Sequence, residues 1–164
     1  MTAYPITDWH GLYADGWSRN DLVPDAFSHP AKLARGLAFR IVDHLLIHGW
    51  LKAGDVCVDP FGGVATIALP LMQAGIHWTG CELEPKFVAL AQANLDLWQA
   101  RYAGLLPGWG SARIVQGDSR NLAAVLAAAD AGASVDALIS SPPYAAARID
   151  GQGDEGASHL RMAD

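Results

Sequence analysis

Cysteine is scarce: Cys57 and Cys81 are the only two in a chain of 164 residues. Each sits in an apolar run, which excludes a disulfide framework and reads as a pair of buried thiols in a reducing compartment. Basic residues are also few, 11 Lys and Arg against 17 Asp and Glu, giving a formal net charge of -6 and a pI near 5.3. That sign rules out a grip on nucleic acid by bulk charge and leaves only local basic contacts. No stretch reaches the roughly 18 consecutive apolar residues that span a bilayer, and Met1–His10 lacks a basic region followed by an apolar one. The expectation is a soluble, cytoplasmic protein with no membrane association. Apolar residues, by contrast, are plentiful. At 51% hydrophobic, with a mean hydropathy of +0.15, the chain can bury a real core in one domain.

Residues 1–27 carry Trp9, Tyr13 and Trp17 among Asp, Gly, Asn and Pro without helical or alternating periodicity, and read as an N-terminal arm. Ser28-His29-Pro30 looks like a helix start, and Leu33, Leu37, Ile41 and Leu45 recur at four-residue spacing until Gly49. Val56-Cys57-Val58-Asp59 is a short strand, followed by a helix from about Val64 to Ala74 with Pro70 as a kink. Trp78-Thr79-Gly80-Cys81 leads to Glu82 as a second strand. Pro85 opens a third helix in which Phe87, Leu90, Leu95 and Trp98 share a face. Arg113–Gln116, the Ala-rich stretch Leu122–Ala129 and Val135–Ile139 continue the alternation. Short apolar strands alternating with helices predict an α/β fold: a parallel sheet with helices on both faces, formed by residues 28–147. Residues 148–164 are polar and Gly-rich and read as a flexible loop or tail.

In such a sheet a ligand lies beyond the carboxyl ends of the strands, so the residues after each strand carry the information. Strand one ends in Asp59-Pro60-Phe61-Gly62-Gly63, strand two in Glu82, strand three in Asp118-Ser119 and strand four in Ser140-Ser141-Pro142-Pro143-Tyr144. Gly62 and Gly63 lack a Cβ and let a ligand approach the backbone, although a glycine pair alone is more often an ordinary tight turn. Glu82 lies about 20 residues further on, where an acid commonly receives ribose hydroxyls. Asp118 can accept from the amino group of adenine, or it can simply cap the following helix, as can Ser119. Together these residues describe an adenosine-bearing ligand. No G-x-G-x-x-G is present, and Asp59 in the turn would repel a pyrophosphate but suit a cation. S-adenosylmethionine, with its ammonium and sulfonium charges, therefore fits better than NAD.

Ser141-Pro142-Pro143-Tyr144 is the most specific feature. Two prolines fix the main chain and remove two N–H donors, so the loop presents carbonyl oxygens and the Ser141 hydroxyl to an exocyclic amino group. Tyr144 offers a face on which an extruded base could stack.

These residues resemble the S-adenosylmethionine-dependent DNA amino-methyltransferases, which make N4-methylcytosine or N6-methyladenine. Asp59-Pro60-Phe61-Gly62-Gly63 is similar to their cofactor loop, Glu82 to their ribose-binding acid, Asp118 to the acid near the adenine, and Ser141-Pro142-Pro143-Tyr144 to their catalytic motif. Ser28-His29-Pro30-Ala31-Lys32 resembles the segment that encloses the methionine end of the cofactor, which adds His29, Pro30 and Lys32 to the cofactor residues. The resemblance implies a Rossmann-like methyltransferase fold and transfer of a methyl group to the amino group of a flipped DNA base. Ser in the first motif position leans toward cytosine N4. The order of motifs is cofactor first, and only about twenty residues follow Tyr144. The resemblance thus implies that further strands and a target-recognition region come from additional C-terminal sequence or from a second subunit. The alternatives are a silent cofactor-binding module that completes or regulates a partner, and a methyltransferase acting on RNA or on a protein glutamine.

His44 and His48 lie one helical turn apart, but no H-E-x-x-H pattern or third ligand accompanies them, and no metal is expected. Trp9, Tyr13 and Trp17 read as packing rather than as nucleic-acid contacts.

Overall fold

The computed structural model describes residues 9–14, 16–29, 32–105, 107–128 and 134–142. Four helices and four strands alternate along it: α1 (Arg35–Ile47), β1 (Val56–Asp59), α2 (Ala68–Gln73), β2 (His77–Glu82), α3 (Pro85–Tyr102), β3 (Ala112–Gln116), α4 (Leu122–Ala128) and β4 (Ala137–Leu138). Short 3-10 turns at Leu12–Ala14, Pro24–Ser28 and Ser119–Asn121 complete the described elements. All strand pairs are parallel, in the order β3-β2-β1-β4. The chain steps outward from β1 through β2 to β3, then crosses back to lay β4 on the other side of β1. That reversal opens a crevice between the carboxyl ends of β1 and β4, the position at which open α/β sheets bind ligands.

Residues of α1, α2 and α3 share one buried cluster with Cys57, Trp78 and Leu95, so these three helices cover one face of the sheet. Ile114 packs into that cluster; its neighbour Val115 points to the other face, where it lines an open cleft with Ala124, Val125 and Ala128 of α4. Helices therefore lie on both faces, as the alternation predicts. The N-terminal arm shares the core: Leu12 is fully buried, Leu22 and Ala26 join the main cluster, and the Trp17 ring stacks on Trp98 at 6.3 Å. The indole N–H groups of Trp17 and Trp98 donate to the Leu33 and Asp21 carbonyls at 2.7 and 2.6 Å. No helix of the described residues is long and apolar enough to cross a membrane.

Several element boundaries differ from the sequence reading. α1 starts at Arg35 rather than at Ser28, because residues 24–28 close a 3-10 turn and Lys32 folds its ammonium back onto the Phe27 carbonyl at 2.9 Å. The fully buried apolar positions of α1 are Ala38 and Val42, while the Leu37–Ile41 stripe is only half-buried. Small residues allow closer approach to α2 than the leucines would. α2 begins at Ala68, not Val64, which places Pro70 in the first helical turn, where its missing N–H has no partner to lose. Pro70 starts this helix instead of kinking it. In α3 the buried set is Ala91, Asn94, Leu95 and Trp98, with Phe87 and Leu90 at its margin. β4 pairs over two residues only, shorter than the expected Val135–Ile139.

Candidate functional site

Asp59 ends β1 and is almost fully buried, at 5% exposure. Its Oδ1 accepts from the backbone N–H of Phe61 at 2.9 Å and from the hydroxyl of Ser140 at 2.7 Å. The first bond closes the turn that carries the chain out of the strand; the second spans the crevice to the tip of β4. Burial pushes the Asp59 carboxyl up to about 6 against the pull of these two bonds, and the nearby charge of Glu82 adds to the rise. The charged neighbour that moves Asp59 is another acid, Glu82.

Glu82 ends β2, the next strand. Its two carboxylate oxygens accept from Gly63 N–H and Glu84 N–H, each at 2.9 Å, and so pin the loop after β1 to the tip of β2. Each oxygen keeps a further lone pair for a hydroxyl donor. Gly63 has a φ of +52°, in the left-handed region, and a Cβ there would meet the His29 ring at 3.2 Å. Gly62 packs closely on the sheet: its Cβ would stand 2.7 Å from Ile114 Cδ1 and 3.2 Å from Gly80 Cα. Both glycines are buried. Pro60 is half-buried beside them and Phe61 is 40% exposed at the mouth of the turn.

His29 bridges the arm and the site. Its ring meets Phe87, at the start of α3, edge-on at 4.4 Å, and on the other side covers Gly63. Burial, followed by the charge of Lys32, lowers its pKa to about 4, so the imidazole is neutral at pH 7. Lys32, itself lowered by burial, spends its ammonium on the carbonyls of Phe27 and His29, which shapes the strap over the loop. Pro30 lies outside the described residues.

Asp118 follows β3, one strand further from the crevice. It caps the 3-10 turn that Ser119 opens, accepting from Arg120 N–H at 2.9 Å, and both its oxygens also receive the Arg120 guanidinium. That side-chain bond holds its carboxyl below the usual carboxylate range. The capping role is thus present in the fold, on a carboxylate that stays partly exposed to solvent. Ser141 and Pro142 are described and continue directly from the Ser140–Asp59 contact, half-buried and exposed respectively. Pro143 and Tyr144 lie outside the described residues, as do residues 148–164.

Sequence reasoning missed two residues. Ser140, passed over for Ser141, is the side chain that reaches β1. Asn94, fully buried on α3, accepts from Val23 N–H at 2.8 Å and donates to the Val64 carbonyl at 2.9 Å, tying the arm to the loop after β1. An amide on an otherwise apolar helical face was the available signal. His44 and His48 belong to an aromatic cluster instead, with ring centroids 4.4 Å apart and Trp50 stacked on His48 at 5.0 Å. No group of three metal-ligating side chains occurs among the described residues. Cys57 and Cys81 are both fully buried, and burial raises both thiols, Cys57 to about 12.

The sequence profile of a DNA methylase family, the N6/N4 type, matches residues 7–93. The chain belongs to that family. The matched residues of this DNA methylase relative include His29, the Asp59–Gly63 turn and Glu82; Asp118 and Ser141 lie beyond them. S-adenosylmethionine, expected from the residues, is the cofactor of this methyltransferase family, and the paired acids of the crevice fit a cationic cofactor.

Among solved structures, TrmN from Thermus thermophilus is 26% identical with a TM-score of 0.51, over 74% of this chain and 32% of that one. A SAM-dependent methyltransferase from Methanosarcina mazei is 26% identical with a TM-score of 0.36, over 44% and 32%. The rRNA methyltransferase aviRa from Streptomyces viridochromogenes is 16% identical with a TM-score of 0.49, over 78% and 68%. The chain spans about a third of the length of the first two. No curated protein matches it. The fold is the Rossmann-like methyltransferase fold, as the strand–helix alternation and the resemblance predicted.

Proposed function

We propose that this chain carries the cofactor site and the catalytic motif of an enzyme that methylates the exocyclic amino group of a DNA base, cytosine N4 ahead of adenine N6. The observation that supports this most is the Asp59–Ser140 hydrogen bond, which sets the start of the Ser141-Pro142-Pro143-Tyr144 motif beside the acidic turn after β1. Had β4 lain at the far edge beside β3, donor and acceptor sites would have been separated by the width of the sheet.

S-adenosylmethionine supplies a methyl group on a sulfonium centre. In this reading Asp59 answers its positive charge, Glu82 receives the ribose hydroxyls with its free lone pairs, and His29 and Lys32 close the strap over its methionine end. His29 is neutral there and adds no repulsion to a cation. The Ser141 hydroxyl and the Pro142 carbonyl accept hydrogen bonds from the target amino group. They would draw its lone pair out of ring conjugation and aim it at the methyl carbon, while Tyr144 would stack on the base; as the N–C bond formed the S–CH3 bond would break, leaving a neutral thioether, and the amino proton would pass to water. No covalent enzyme intermediate is required.

The test is direct. The chain is titrated with S-adenosylmethionine by calorimetry, then incubated with tritium-labelled cofactor and either mixed-sequence duplex DNA or RNA. Binding, with label transferred to DNA as N4-methylcytosine, is the expected result. Absence of cofactor binding by the folded chain refutes the reading. Label on RNA alone refutes the DNA assignment, and binding without transfer to either leaves the silent-module alternative.

A further inference from the structure

Ser140 lies outside the four-residue motif, yet it makes the one side-chain bond among the described residues that joins the β4 tip to the acidic turn. β4 pairs with β1 over two positions, and the last ladder bond runs from Ile139 N–H to the Val58 carbonyl at 3.1 Å. Beyond that point the main chain is poorly equipped to continue the ladder, since Pro142 and Pro143 have no N–H to donate. A loop that must hold an acceptor base to within a fraction of an ångström needs another anchor. The Ser140 hydroxyl supplies one at 2.7 Å from Asp59 Oδ1, and the same oxygen accepts the Phe61 N–H that shapes the turn after β1. One carboxylate oxygen thus fixes both loops that border the crevice.

We infer that Ser140 is a positioning residue, which ties the chain at Ser141-Pro142 to the carboxylate that receives the methyl donor and so couples donor occupancy to the start of the acceptor motif. The inference rests on the functional reading above and deepens it. The coupling runs through the shared oxygen: a cation arriving at Asp59 favours the ionised form, the stronger acceptor for the Ser140 hydroxyl, and so strengthens the bond that holds the chain after β4. The groups that bear on Asp59 are Glu82 at the β2 tip, the Cys57 and Cys81 thiols beneath it, the Phe61 N–H in its own turn and the Ser140 hydroxyl. Among the described residues, Ser140 is the one of these that follows β4.

The experiment compares the full wild-type chain with Ser140→Ala, Ser140→Cys and Ser140→Thr. Cofactor affinity is measured by calorimetry from pH 5 to 8, and amide hydrogen exchange is followed across residues 139–150 with and without S-adenosylmethionine. In the wild type, cofactor should slow exchange in this segment. Ser140→Ala should still bind cofactor at pH 8, within about threefold, yet lose most of that protection. With one stabilising bond to the carboxylate removed, its binding midpoint should also move to higher pH. Ser140→Thr, which keeps the hydroxyl, should restore both; Ser140→Cys, a weak donor, should behave like Ala and provides a second test should Ala fold poorly. Wild-type protection and pH midpoint in both hydroxyl-less variants overturn the inference and leave the functional reading standing. Failure of the wild type to bind cofactor overturns the reading, and the inference with it.

Discussion

Replacing Asp59 with Asn should make the protein more stable at neutral pH and less able to hold its cofactor. The carboxyl titrates at about 6 in the folded chain against an ordinary 3.8, a rise driven by burial. A rise of about two units corresponds to roughly 3 kcal/mol at 1.36 kcal/mol per unit. Exposure of 5% leaves little solvent to screen it. For an acid raised in the folded state, this contribution to stability is fully present below pH 3.8 and is lost as pH rises through about 6. At pH 7.5 the ionised group is therefore a net cost. Asn keeps both hydrogen bonds, because Phe61 N–H and Ser140 Oγ–H donate to the same Oδ1. Urea unfolding at pH 7.5 should show Asp59→Asn more stable by about 2–3 kcal/mol, a gain that vanishes near pH 4. A variant that is less stable at pH 7.5, or whose gain is the same at both pH values, would refute the account of a carboxylate held against its own solvation.

His29 carries the opposite sign: its depressed value of about 4 gives stability that is present above pH 6.5 and lost as pH falls toward 4. The two groups oppose one another between pH 4 and 6, so wild-type stability should be nearly flat there, fall on acidification in Asp59→Asn, and rise on acidification in His29→Asn, as read by denaturant midpoints. Cofactor affinity measured by calorimetry should increase with pH through about 6 in the wild type, and Asp59→Asn should lose that dependence. Glu82→Ala removes the acceptor for two loop N–H groups and for the ribose, and should weaken cofactor binding by at least about 10-fold, since bonds to a charged acceptor contribute about 1.5–3 kcal/mol. Asn94→Ala strands Val23 N–H and the Val64 carbonyl and should destabilise the fold by about 2–4 kcal/mol in the same unfolding assay. Gly62→Ala should cost about 1–3 kcal/mol by overpacking, and Ile114→Val, which deletes the Cδ1 that stands 2.7 Å away, should recover part of that cost.

The fold class, the alternation of strands and helices and the acids at the strand tips were legible because they follow from periodicity and from what can terminate a buried parallel strand. Asp59 and Glu82 stand where the apolar runs stop, and the structure puts them on adjacent strands. The misreadings share a cause: local pattern was trusted where a long-range contact decides. Ser28-His29-Pro30 has the composition of a helix start, but His29 is needed between Gly63 and Phe87, and the helix waits until Arg35. Pro70 looks like a kink only if the helix is begun at Val64. The glycine at position 62 also answers to a contact that spacing does not show: the Ile114 side chain, some fifty positions away, stands in the space its Cβ would fill. Ser140 could not be told from Ser141 by spacing, because both are small hydroxyl residues at a strand end and only the β1–β4 register decides which faces Asp59.

That register also bears on why a costly acid is kept. A buried carboxylate in this chain has a cheaper substitute one atom away, and Asn would satisfy the same two donors. In the proposed function the charge itself is what matters: it stands at a topological switch point with Glu82 beside it, where it would meet a positive ligand that arrives and leaves. If Asp59 served the fold alone, its replacement would stabilise the protein without affecting cofactor affinity. Measuring both quantities on one variant separates a structural acid from a binding one, and the binding reading requires that stability rise while affinity falls.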